Sequence, residues 1–170
     1  PRGVVRSHLS LEGNEFFYTL FVPEAYDPAR AYQVRLQLHG GVGRPERSAP
    51  SAATTPPLPG TDQIYIVPSA WRAAPWWSHT QITGIRAILD QVKRTYNVNE
   101  NLVVVSGVSD GGTGAYFMAM RDTTPFASIL PANGFLMVLR NEMRSEDGDV
   151  FPNNLRNKPL FVVNGGRDPF

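Results

Sequence analysis

Leu102-Val-Val-Val-Ser-Gly107-Val-Ser109-Asp-Gly111-Gly112-Thr-Gly114 decides how this chain is read. Residues 102–105 are a continuous branched apolar run, as expected for a strand buried on both faces. From Gly107 to Gly112 the chain must turn sharply. From Thr113 or Gly114 to Met120 it is small and apolar, which predicts a short buried helix. Strand, tight turn and helix therefore follow one another with no room for a loop. Gly107 and Gly111 flank Ser109 at two residues on either side. A side chain at either position would collide with the neighbouring strand or helix, so both must be tiny. The serine is thereby presented at the tip of a strained turn, and the helix that follows directs its N-terminal amides toward it.

Upstream, residues 32–38 alternate Val34, Leu36 and Leu38 with Gln33, Arg35 and Gln37, a strand with one apolar and one partly polar face. His39-Gly40-Gly41-Val42 follows at once. Residues 15–22 and 64–67 read as further strands, the first crowded with aromatic and branched side chains. Ile82, Ile85, Ile88, Val92 and Tyr96 recur at helical spacing, so an amphipathic helix is expected from Thr80 or Gln81 to about Tyr96. Residues 126–130 form an apolar run, and residues 160–163 a last strand ending in Asn164-Gly165-Gly166. Between residues 42 and 62, five prolines (Pro45, Pro50, Pro56, Pro57 and Pro59) argue for a long irregular segment. Strands that alternate with crossovers predict an α/β fold, a mostly parallel sheet flanked by helices in one domain. The direction of the first strand stays open.

Composition removes several functions. Lys and Arg number 16 against 15 Asp and Glu, with no basic stripe, so nucleic acid is not an expected partner. No apolar run is long enough to span a bilayer. There is no cysteine, and His8, His39 and His79 stand apart, so no metal site is expected. A nucleotide site fails on spacing, since no GxxxxGK[ST] occurs and a serine stands where the dinucleotide pattern needs glycine.

On Gly107-Val108-Ser109-Asp110-Gly111 after a strand, and on His39-Gly40-Gly41 after another, the chain resembles the α/β-hydrolase superfamily. The likeness is nearest to the esterase, polyester-depolymerase and phospholipase/carboxylesterase branches. It implies that Ser109 is the nucleophile. Backbone N–H groups of about Gly41 and of Asp110 would form the oxyanion hole, with the choice among Gly40, Gly41 and Val42 left open. Asp168, in Gly165-Gly166-Arg167-Asp168-Pro169, matches the family's acid, ahead of Asp147 and Asp149. His39 would support its loop. The family order of nucleophile, acid, histidine places the base after Asp168, so the α/β-hydrolase fold is expected to be C-terminally incomplete here. The last strand, histidine loop and final helix would be absent, and the 170-residue chain alone weak or inactive.

The implied activity is cleavage of a small-molecule or polymer-linked carboxylic ester through an acyl-enzyme, without a cofactor. The alternatives are a peptidase-like serine hydrolase and a non-catalytic binding protein of the same fold. Trp71, Trp76, Trp77 and His79 follow the third predicted strand. They either wall a substrate pocket at the strand ends or pack the loop that carries them. An uncovered sheet edge would favour self-association or cover by the missing segment.

Overall fold

The computed structural model describes residues 1–43, 62–140 and 150–168. Its six strands are β1 (Gly3–Leu11), β2 (Asn14–Val22), β3 (Tyr32–Leu38), β4 (Gln63–Pro68), β5 (Val98–Val108) and β6 (Ser128–Ala132), with helices α1 (His79–Thr95) and α2 (Asp110–Arg121). They form one sheet in the order β1-β2-β4-β3-β5-β6. The pairs β4–β3, β3–β5 and β5–β6 are parallel, while β1–β2 and β2–β4 are antiparallel. The expected α/β architecture is present, and the open question about the first strands is answered.

The alternation in β3 sorts the sheet into two faces. Register carries a single apolar rung, Leu20–Ile66–Leu36–Val105–Ile129, across five strands. Each member is at most 5% exposed. Ile85, Ile88, Leu89 and Val92 of α1, and Ala115 to Met120 of α2, join the same core. Helix α1 is capped by Ser78, whose hydroxyl accepts from Gln81 N–H, and its first residue, His79, comes one or two positions before the expected start. It lies against β2 so closely that a Cβ on Gly84 would sit 2.2 Å from the Phe16 ring.

Three elements differ from expectation. β1 was not foreseen. Its residues alternate between exposed and half-buried, with Val5, Leu9 and Leu11 on the core side and Arg6, His8 and Ser10 outward. It joins β2 through a two-residue hairpin in which Glu12 and Gly13 both take positive φ, 50° and 75°. α2 begins at Asp110, three residues before the expected start, because the turn feeds the helix directly. Residues 160–163 run parallel to β6 through the bridges Ile129↔Leu160 and Ala132↔Val163. They form an outer rim rather than a buried strand, with Leu160, Phe161, Val162 and Val163 40% to 66% exposed. Nearly all of the proline-rich segment, together with Asp147 and Asp149, lies outside the described residues.

Candidate functional site

The carboxyl ends of β3, β5 and β6 meet at Ser109. Its backbone stands at φ 57° and ψ −121°, a conformation that costs a non-glycine residue of order 1–3 kcal/mol. The residue is exposed. Its N–H donates to the Ala132 carbonyl at 2.9 Å, and its own carbonyl accepts from Thr113 N–H at 3.0 Å. The turn is thus fastened to β6 on one side and continues into α2 on the other. The glycines around it are sterically compelled. A Cβ on Gly107 would lie 2.0 Å from the Gly111 oxygen, and one on Gly111 2.1 Å from the Leu38 oxygen. At Gly112 it would meet the Ala132 oxygen at 2.5 Å.

The segment after β3 comes directly against this turn. A Cβ on Gly40 would be 3.2 Å from the Ser109 Cβ and 3.7 Å from its Oγ. His39 is committed to its own loop. Its Nε2 accepts from Ala70 N–H at 3.0 Å, so Nδ1 carries the proton, and Nδ1 lies 2.8 Å from the Gly40 oxygen. Val42 N–H donates to Asp110 Oδ2 at 2.9 Å. Of the three N–H groups left open by sequence, Val42's is therefore engaged. Gly41, at φ 69°, lies between two tethered peptides. The Asp110 N–H belongs to the first turn of α2, where no preceding turn supplies a carbonyl.

Asp168 reaches the same end of the sheet by way of Asn133, a residue the sequence reading passed over. Asn133 follows Ala132, the acceptor for Ser109, and takes a left-handed φ of 48°. Its N–H donates to the Val163 oxygen at 2.8 Å. Its side-chain Nδ2 donates to Asp168 Oδ2 at 2.6 Å, and its Oδ1 accepts from Gly165 N–H at 3.3 Å. The one available signal was an Asn-Gly pair closing an apolar run.

The three tryptophans are buried. Trp71 and Trp76 are 2% and 0% exposed, and Trp77 is also buried. Trp76 Nε1 donates to the His39 carbonyl at 2.8 Å, its ring stands edge-on to the His39 ring, and its Cβ presses on Gly114. That burial favours the packing side of the two readings for Trp71 and Trp76, because an enclosed ring offers no wall to a ligand. Gln81 ties the loop down by donating to the Ser69 and Ala74 carbonyls. His79 is the exposed first residue of α1, and His8 lies on β1 at the opposite edge of the sheet.

Beneath the turn, on the polar sheet face, Ser106 donates to Gln37 Oε1 at 2.7 Å and accepts from Arg35 Nε at 3.0 Å. Nearby, burial pushes the Tyr65 phenol up to about 12 against the opposing pull of Arg35, so Tyr65 stays neutral and moves no proton at ordinary pH. Among the described residues, no group of three or more His, Cys, Asp or Glu could hold a metal ion, and no helix is long and apolar enough to cross a membrane.

No family model matches the chain, and no curated protein is similar to it in sequence. Solved structures are similar in shape. A thermostable esterase superposes with a TM-score of 0.67 at 18% identity, over 96% of this chain and 55% of its own. The feruloyl esterase module from Clostridium thermocellum, complexed with sinapinate, gives 0.68 at 12% identity over 96% of this chain and 66% of its own. Poly(aspartic acid) hydrolase-1 from Sphingomonas sp. KT-1 gives 0.70 at 14% identity over 99% of this chain and 74% of its own. The chain has the α/β-hydrolase fold. It spans just over half to two thirds of the length of the first two of these structures. In an α/β-hydrolase sheet, the ends of β3, β5 and β6 are where ligands are expected outside the carboxyl ends of the strands.

Proposed function

We propose that the protein is a serine hydrolase that cleaves carboxylic esters through an acyl-enzyme. The observation that carries this reading is the exposed Ser109, held in a strained backbone state, with the loop after β3 so near that a Cβ at Gly40 would fall 3.2 Å from the Ser109 Cβ. A structural turn has no need of such strain, whereas a nucleophile gains access from it.

In the proposed reaction Ser109 Oγ attacks the ester carbonyl carbon, and its proton passes to a histidine. The Gly41 and Asp110 N–H groups stabilise the oxyanion of the tetrahedral intermediate. The histidine then gives its proton to the departing alcohol. Water, deprotonated by the same histidine, releases the acid and restores the serine. Asp168 orients the histidine and stabilises its charged form. The order of nucleophile, acid and histidine that the resemblance implies would place this histidine after Asp168; His39 uses both ring nitrogens in its loop, His8 lies at the far edge, and His79 is the exposed first residue of α1. No cofactor is called for. One similar structure is a feruloyl esterase holding sinapinate, so esters of aromatic carboxylic acids belong in the substrate panel beside short acyl and polymer-linked esters.

The test is fluorophosphonate labelling of the full-length protein. Labelling that Ser109→Ala abolishes, with turnover of at least one ester, is the expected result. A folded full-length protein that neither labels nor turns over any ester would instead favour a binding role on the same fold. Turnover of peptides but not esters would move the reading to a peptidase.

A further inference from the structure

We infer that the Asp110 side chain is a positioning residue that, together with His39, locks the two peptide planes on either side of Gly41. This rests on the serine hydrolase reading, in which the Gly41 N–H serves the oxyanion.

A trans peptide carries its C=O and N–H on opposite sides of one rigid plane. The Gly40–Gly41 plane holds the Gly40 oxygen and the Gly41 N–H. Its oxygen is held by the protonated Nδ1 of His39 at 2.8 Å, so its N–H is turned away from the imidazole. The Gly41–Val42 plane holds the Gly41 oxygen and the Val42 N–H. That N–H is held by Asp110 Oδ2 at 2.9 Å, so the Gly41 oxygen is turned away from Asp110. The two planes meet at a single Cα, that of Gly41, at φ 69°. Glycine leaves both of its dihedrals soft. Without the second clamp the Gly41–Val42 plane is free to rotate and can present a carbonyl where a donor is required. An acceptor facing an oxyanion is repulsive, so the lock bears on the transition state more than on substrate binding.

Asp110 suits the task by position. It is the residue after Ser109, so its backbone N–H and its side chain move with the nucleophile. Its carboxylate also lies in the first turn of α2, where negative charge is favoured. One residue thereby couples the turn bearing the serine to the loop after β3, 68 positions away in sequence.

The test compares Asp110→Ala and Asp110→Asn in the full-length protein. Asparagine keeps a carbonyl oxygen able to accept from Val42 N–H, and alanine does not. Asp110→Ala should lower kcat for a neutral aryl ester by about tenfold to a hundredfold, short of outright loss of a donor, with KM within about twofold. Asp110→Asn should recover kcat to within about fivefold of the parent. Independently of activity, amide exchange at Val42 should accelerate in the alanine variant and stay slow in the asparagine one. Unchanged Val42 exchange in Asp110→Ala, unchanged kcat, or equal losses in both variants would each overturn the lock. A parent protein that does not label at Ser109 would instead bring down the hydrolase reading beneath it.

Discussion

Two glycine-bearing turns meet at the site, and they need glycine for different reasons. In the turn after β5 the constraint is contact. Cβ atoms at Gly107, Gly111 and Gly112 would each fall between 2.0 and 2.5 Å from a backbone oxygen. In the loop after β3 the constraint at Gly41 is the dihedral alone. Its φ is 69°, and among the described residues nothing lies within 4 Å of where its Cβ would be. The first turn is held by the packing of strand against helix. The second is held by two side-chain clamps, from His39 and Asp110. A wall of backbone fixes the proposed nucleophile, whereas a pair of hydrogen bonds fixes the proposed oxyanion donor.

The largest effect should come from breaking the contact-limited turn. Gly107→Ala puts a methyl group 2.0 Å from the Gly111 oxygen, which is backbone at the start of α2 and has nowhere to retreat. β5 and α2 would have to separate along the central part of the core. A loss of about 3 kcal/mol or more is expected in denaturant unfolding, enough to leave little folded protein if the parent is marginal. A variant that unfolds at the parent's midpoint would show that the turn is looser than its distances state.

Gly41→Ala should behave differently. With no atom of the described residues to strike, alanine pays only for the left-handed backbone, about 1 kcal/mol. The fold survives. The strain instead acts on the peptide planes that aim the Gly41 N–H, and kcat should fall by about tenfold to a hundredfold, the scale of a misdirected oxyanion donor. Ester kinetics and a melting curve on the same sample separate the two quantities. Loss of stability without loss of kcat would remove Gly41 from the proposed machinery.

How much of this was legible depended on the range of the interaction. The Ser109 turn could be read because its evidence is local: four branched residues, two spaced glycines and a small-residue helix within a dozen positions. The two faces of β3 were legible, because Val34, Leu36 and Leu38 alternate with Gln33, Arg35 and Gln37. β1 was missed although it alternates, because its outward residues, Arg6, His8 and Ser10, dilute the apolar signal of a half-buried edge strand. Residues 160–163 look buried by composition alone. Their exposure depends on what lies beside them, which no local pattern encodes. The bond from Val42 to Asp110 was out of reach for a related reason. It joins a backbone donor to a side chain 68 residues on, and only the folded sheet brings them together. Trp71 and Trp76 show the limit from the other side. Their place at the strand ends was evident, but whether the rings face a cavity or the core is decided by Phe16, His39 and Gly114 packing against them.

The smallest predicted effect is the control for the others. Gly13 resembles Gly41 in its backbone conformation and in the room around its missing Cβ. Its φ is 75°, and among the described residues nothing lies within 4 Å of its missing Cβ. It differs in place, since it closes the β1–β2 hairpin at the edge of the sheet opposite β6. Gly13→Ala should therefore cost the same ~1 kcal/mol as Gly41→Ala, because the two substitutions impose the same backbone penalty. Its kcat should equal the parent's within error, because no clamp or strand connects that hairpin to Ser109 without crossing the whole sheet. If Gly13→Ala slowed turnover as much as Gly41→Ala, the loss at Gly41 would report general destabilisation, and the special status of the loop after β3 would be gone. If the two variants match in melting temperature and part only in kcat, the rate loss belongs to the direction of one N–H.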